Sequence, residues 1–216
     1  MALERLRSPS TLAFALAMAA SLPASRAHAI GATITITADN LYDLYVTGVY
    51  IGSANSADGY YGWDSPETWN VNLNGGENTI AIFAQDESAA SSSGIGVIAR
   101  IDVVGGLQFV TDTQWRASQT GPTGWNLPPF DANAWGPAFD CGAYDSAPWT
   151  IFRPPLSAFA GTGARWIWAG TPPYAGGYGY YNPGGHQFAY VRRTITLPGG
   201  TTTQSVSWGA LKRHFR

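Results

Sequence analysis

Charge is scarce in this chain. Only 12% of its 216 residues are charged, against 45% hydrophobic and 13% aromatic. The formal net charge of -2 and a pI near 5.8 leave no basic stripe of the kind that tracks nucleic-acid phosphates. A single cysteine, Cys141, excludes a disulfide framework and a cysteine-based zinc site. Histidine is limited to His28, His186 and His214. A nucleophilic triad needs a histidine beside a serine or cysteine, with an acid to orient it. The GxSxG, HExxH and phosphate-loop patterns are absent as well. No stretch of 12 residues repeats its apolar residues at helical spacing, which removes the helical fold classes. What the chain does have is 9 Trp, 11 Tyr, 26 Gly and 14 Pro. That is too aromatic for a disordered polymer and too poor in Gly and Pro for a low-complexity one.

The first residues read as an address. Arg5 and Arg7 precede an uncharged apolar run from Leu12 to Leu22, Pro23 breaks it, and Ala27-His28-Ala29 offers a small-residue cleavage point before Ile30. This is the pattern of a secretory signal peptide over 1–29, and the run is shorter than the ~20 residues of a membrane span. The body, 30–197, is therefore expected to be secreted or displayed on a cell surface. Cys141 is expected there as a lone buried thiol.

The body reads as strands. Thr33-Ile34-Thr35-Ile36-Thr37 alternates with period two and is β-branched throughout. Leu41 to Val46 and Val49 to Ile51 flank Thr47-Gly48, a hairpin signal. Thr68 to Leu73, Asn78 to Ala84, Ile95 to Val104, Leu107 to Val110, Trp115 to Ala117, Arg165 to Trp168 and Phe188 to Leu197 complete the set. Asn78, just after a Gly turn, has an amide placed to close it. Many short strands predict an all-β sandwich or barrel. Between Thr120 and Arg165 the pattern dissolves into Gly, Pro and Trp, and this stretch is expected to pack as an aromatic-rich cap. Arg192 and Arg193 fall on alternate faces of one strand, so at most one points inward, where it needs a carboxylate partner.

Several runs, in order, resemble one family. Ala38-Asp39-Asn40 followed by Leu44-Tyr45-Val46-Thr47-Gly48 is similar to the first hairpin of galactose-binding-like jelly-roll domains. Gly76-Glu77-Asn78-Thr79-Ile80-Ala81-Ile82, the stretch Gly94 to Ile101, and Thr111-Asp112-Thr113-Gln114-Trp115 match further family runs. So do Phe130-Asp131-Ala132-Asn133-Ala134-Trp135, Arg165-Trp166-Ile167-Trp168 and Tyr190-Val191-Arg192-Arg193-Thr194. Such domains serve as bacterial carbohydrate-binding modules and as accessory domains of rhamnosidases. The resemblance implies a jelly-roll β-sandwich without catalysis of its own, with Trp69, Trp115, Trp135, Trp166 and Trp168 as framework. It also implies a structural calcium ion, for which Asp39, Asn40 and Asp43 are the expected ligands. Otherwise no cofactor is expected.

Glycosidases work with two carboxyls ~5–10 Å apart. The close acidic pairs, Asp64 with Glu67, Asp86 with Glu87 and Asp140 with Asp145, read instead as solvated loop acids. Sugar binding has better material, because the C–H face of a sugar stacks on an aromatic ring while its hydroxyls bond amides and carboxylates. Two loops set aromatics between glycines: Tyr60, Tyr61, Trp63 and Asp64 in one, Tyr178, Tyr180, Tyr181 and Asn182 in the other. These eight are the expected glycan contacts. The alternative from another class is a surface-assembly subunit that uses the sandwich for protein–protein contacts. In that reading the tail 198–216, a Gly/Thr linker followed by basic, amphipathic Trp208 to Arg216, joins it to a surface protein or a second copy.

Overall fold

The computed structural model describes residues 29–54, 62–86, 94–150, 155–170 and 188–199. Its strands are β1 (Ala29–Asp39), β2 (Leu41–Val46), β3 (Val49–Ser53), β4 (Glu67–Asn74), β5 (Gly76–Gln85) and β6 (Gly96–Val103). They continue as β7 (Gln108–Val110), β8 (Arg116–Ser118), β9 (Gly136–Pro137), β10 (Phe139–Ala143), β11 (Arg165–Trp168) and β12 (Phe188–Leu197). The first sheet has the order β10-β11-β6-β1-β4, with β7 also paired to β6, and the second the order β3-β2-β5-β12-β8-β9. The two antiparallel sheets face each other as a jelly-roll β-sandwich.

Period-two alternation explains the core. Ala32, Ile34, Ile36 and Ala38 of β1 point inward beside Val97, Ala99 and Ile101 of β6, and meet Leu44, Ile80, Ile82, Val191 and Ile195 from the second sheet. The hairpin at Thr47-Gly48 forms with positive φ at both positions (50 and 82°), the geometry a tight two-residue turn demands. Asn78 closes its turn as expected: its amide donates to the Asn74 carbonyl at 2.8 Å, and its oxygen accepts the Asn74 N–H at 2.8 Å.

Two features depart from the sequence reading. Strands β9 and β10 lie inside the stretch expected to be irregular. β10 reads Phe-Asp-Cys-Gly-Ala, five residues with a glycine and no β-branched side chain, and a bulge between Asp140 and Gly142 shifts its register against β11. The cap is also two straps rather than one. The segment after β10 lies on the outer face of the first sheet and stacks Trp149 on Trp166, with ring centroids 4.2 Å apart at 10°. The segment after β8 lies on the outer face of the second sheet and sets Trp125 edge-on against Tyr45 and Tyr190, at 5.8 and 5.0 Å.

The two arginines of β12 meet different fates, and the second strap decides that of Arg192. Arg193 takes the inward register with Val191 and Ile195, and its guanidinium lies 3.3 Å from the Asp112 carboxylate. Arg192 faces outward and is buried all the same, because the strap covers it. It donates to the carbonyls of Trp125, Phe130 and Leu127 at 3.1, 2.9 and 3.3 Å.

Candidate functional site

The strand registers assign the connections to one end. Asp39 pairs with Gly96, Leu41 with Gln85, Gln85 with Phe188, Asp43 with Ser53, and Ile167 with Val97. In antiparallel sheets this puts the end of β1, the starts of β2, β6 and β12, and the ends of β3, β5 and β11 at a common rim. The connections 54–66, 86–95 and 169–187 leave from it.

At this rim sits a buried acid. Asp39 is 5% exposed and Asp86 4%. Burial, reinforced by the charge of Asp86, pushes the Asp39 carboxyl up to about 8, partly offset by the N–H that Trp149 donates to it at 3.2 Å. The Asn40 amide donates to the other Asp39 oxygen at 3.0 Å, while the Asn40 backbone N–H donates to the Gln85 carbonyl at 2.9 Å. Gly94 makes this packing possible: a Cβ there would lie 2.8 Å from Pro148 and 3.0 Å from both Asp39 Oδ2 and Trp149 Nε1. Beneath, the Thr37 hydroxyl donates toward the carbonyls of Gly62 and Trp63 at 3.2 and 3.1 Å and ties the β3–β4 connection to the first sheet.

The expected site residues divide. Tyr60, Tyr61, Tyr178, Tyr180, Tyr181 and Asn182 lie outside the described residues. Asp64 is half-buried and accepts a bond from the Ser65 hydroxyl at 3.1 Å. Trp63 requires a correction: it is 7% exposed and belongs to the core cluster, so its ring is not offered to solvent. The bond from Thr37 holds its backbone against β1, and the indole is buried there. Of the expected calcium ligands, Asp39 and Asn40 lie together at the rim. Asp43 has the parity of Tyr45 on the outer face of the second sheet, where burial raises its carboxyl. Among the described residues no group of three His, Cys, Asp or Glu stands close enough to hold a metal by itself.

Asp86 and Trp149 were missed as partners of Asp39. Asp86 was legible in principle, since it directly follows the β5 residue that pairs with Leu41. Trp149 was not, being 110 positions from Asp39 in the chain. The framework tryptophans behave as the resemblance implies: Trp115, Trp135, Trp166 and Trp168 are buried, and half-buried Trp69 donates to the Tyr42 hydroxyl at 2.9 Å. The acidic pairs are not merely solvated: Glu67 accepts the Tyr42 hydroxyl, Asp140 holds Arg165 at 2.9–3.0 Å, and Asp86 is buried beside Asp39.

The sandwich and its strand order are those of a jelly roll similar to galactose-binding-like domains. The chain is 30% identical over 131 residues to an alpha-L-rhamnosidase of Streptomyces avermitilis, a match covering 59% of this chain and 13% of that enzyme. The crystal structure of the Streptomyces avermitilis alpha-L-rhamnosidase complexed with L-rhamnose matches 55% of the chain and 12% of its own length, with 29% identity and a TM-score of 0.51. The lectin from Pleurotus ostreatus in complex with GalNAc matches 62% of the chain and 38% of its own, with 28% identity and a TM-score of 0.50. The chain thus spans only a small part of the enzyme it resembles. No protein-family model matches it. Among the described residues no helix is long and apolar enough to cross a membrane.

Proposed function

We propose that this chain is a secreted, non-catalytic carbohydrate-binding module that receives a glycan at the rim of the sandwich. One observation carries the reading: the strand ends that bear the glycine-hinged aromatic loops converge where Asp39, Asn40, Asp86 and Trp149 are packed together. The likeness to a lectin bound to GalNAc and to part of a rhamnosidase supports it. Tyr60, Tyr61, Tyr178, Tyr180, Tyr181 and Asn182 supply the stacking faces and the amide, with Asp64 at the margin.

The rim also suits a calcium ion. Asp39 and Asp86 are buried hard oxygen donors whose charges act on each other, and the Asn40 side-chain oxygen is a third donor toward the six to eight oxygens of a calcium shell. Here Asp86 takes the place first assigned to Asp43. A glycan array probed with the secreted chain, in calcium and in EDTA, tests both parts. Binding of a defined glycan set that fades in EDTA is expected. Background-level binding in calcium, with concentration-dependent self-association, overturns the reading in favour of an assembly subunit.

A further inference from the structure

We propose that the outer face of the second sheet carries a separate binding cleft for an acidic sugar, which grips the carboxylate of a hexuronate through Arg116. The cleft lies away from the rim. Phe188 at the start of β12 pairs with Gln85 at the rim, whereas Thr194, in the cleft, lies six residues further along the strand, about 20 Å away.

Arg192 and Thr194 form its floor, Arg193 reaches it from the inward side of β12 through its bond to Gln114, and Gln114 and Arg116 form one wall and the run Phe130 to Asn133 the other, around a volume of about 400 Å³. That is within the ~300–1,000 Å³ of small-ligand sites. The opening exists because β8 pairs with β12 only as far as Arg192, so the β12 edge beyond it is left to the strap.

Charge marks the ligand as an anion. Arg192 is 3% exposed, and its hydrogen-bond partners are three backbone carbonyls and the Thr79 hydroxyl, all neutral. Arg193 shares Asp112 at 3.3 Å. Exposed Arg116 gives one N–H to the Trp135 carbonyl at 3.3 Å, and a guanidinium carries five. Against these stands Asp131, whose Oδ1 accepts the Asn133 backbone N–H at 2.9 Å. With Asp112 included, three guanidiniums meet two carboxylates, a local positive excess in a chain of net charge -2. A single excess charge matches a carboxylate better than a dianionic phosphate, and the planar Arg fork matches a carboxylate in shape.

The rest of the lining is suited to a sugar. Gln114 accepts from Arg193 at 2.6 Å, which leaves its amide N–H groups for hydroxyls, and the Asn133 side chain is exposed on the opposite wall. Phe130, 5.2 Å beneath the Arg192 guanidinium and 5.3 Å from Trp135, is a ring held in place for C–H contact. An acidic peptide would satisfy the arginines but not this combination. The cleft does not depend on the rim reading, and either can fail alone.

The test is an NMR titration of the full chain with methyl β-D-glucuronoside and methyl β-D-glucoside, which differ only in carboxylate against hydroxymethyl. The uronoside is expected to shift amides around 114–116 and 130–133 and to bind about tenfold more tightly than the glucoside, as one charge-assisted pair provides. Arg116→Gln should remove that advantage at an unchanged melting temperature. Asn133→Asp, which adds a negative charge to the exposed wall, should weaken the uronoside more than the glucoside. Equal binding of the two glycosides, an Arg116→Gln variant that keeps the preference, or an N-acetylated diglutamate peptide that binds as tightly as the uronoside would each overturn the proposal.

Discussion

Asp39 is the residue on which the chemistry of the rim turns. Its carboxyl stands near 8 in the fold against 3.8 for an ordinary aspartate, so between those values the folded chain binds the extra proton. Stability then falls as pH rises through that window and levels off above it. In EDTA, denaturant unfolding of the native chain should show a larger loss between pH 5 and 8 than Asp39→Asn, whose residual slope reports the other groups. Equal slopes would mean that Asp39 is not held protonated. Calcium should reverse the difference, because the ion favours the carboxylate. Cys141 makes a second prediction at this scale. The thiol is 1% exposed, and burial together with Asp140 holds its ionisation far above neutrality. A thiol reagent at pH 8 should leave it unmodified until denaturant is added, and immediate labelling would contradict its burial.

The straps are where elements and energetics meet. Gly121 opens the second strap against the ring of Tyr190, where a Cβ would come within 2.2 Å of the ring carbons. Gly121→Ala should therefore push Trp125 off Tyr190 and lower stability by about 1–3 kcal/mol, the usual scale of overpacking. Denaturant unfolding followed by tryptophan fluorescence measures it, and a change under 0.5 kcal/mol, within the scatter of surface substitutions, would mean the strap is not anchored there. The straps also explain what could be read from the chain. The Thr-Ile alternation of β1, the hairpin at Thr47-Gly48 and the full length of β12 were legible, because period two and turn chemistry are local signals. β10 was not, since its alternation spans only Phe139, Cys141 and Ala143, lacks β-branched residues and is interrupted by the bulge at Gly142. Arg192 misled for a related reason: alternation tells which side of a strand a residue takes, not whether that side is covered. Trp63 misled because its glycine neighbours resemble an exposed loop, while the Thr37 bond that holds its backbone joins positions 26 apart.

Across the whole molecule, the sandwich separates two surfaces. The rim gathers loop ends around buried acids, and the strapped face carries the arginine cleft, so a chain of modest net negative charge presents regions of opposite sign. Trp63→Ala removes a core indole and should cost several kcal/mol, within the ~3–5 kcal/mol seen for buried aromatics, whereas changes to the loop tyrosines should leave unfolding nearly untouched. That contrast makes the central claim testable in one experiment. The glycan selected by the array is titrated calorimetrically, in calcium, into the native chain and into Tyr60→Ala/Tyr61→Ala, with melting temperatures recorded on the same samples. Loss of the binding heat at an unchanged melting temperature is the predicted result; full retention of the binding heat in the double variant would contradict it.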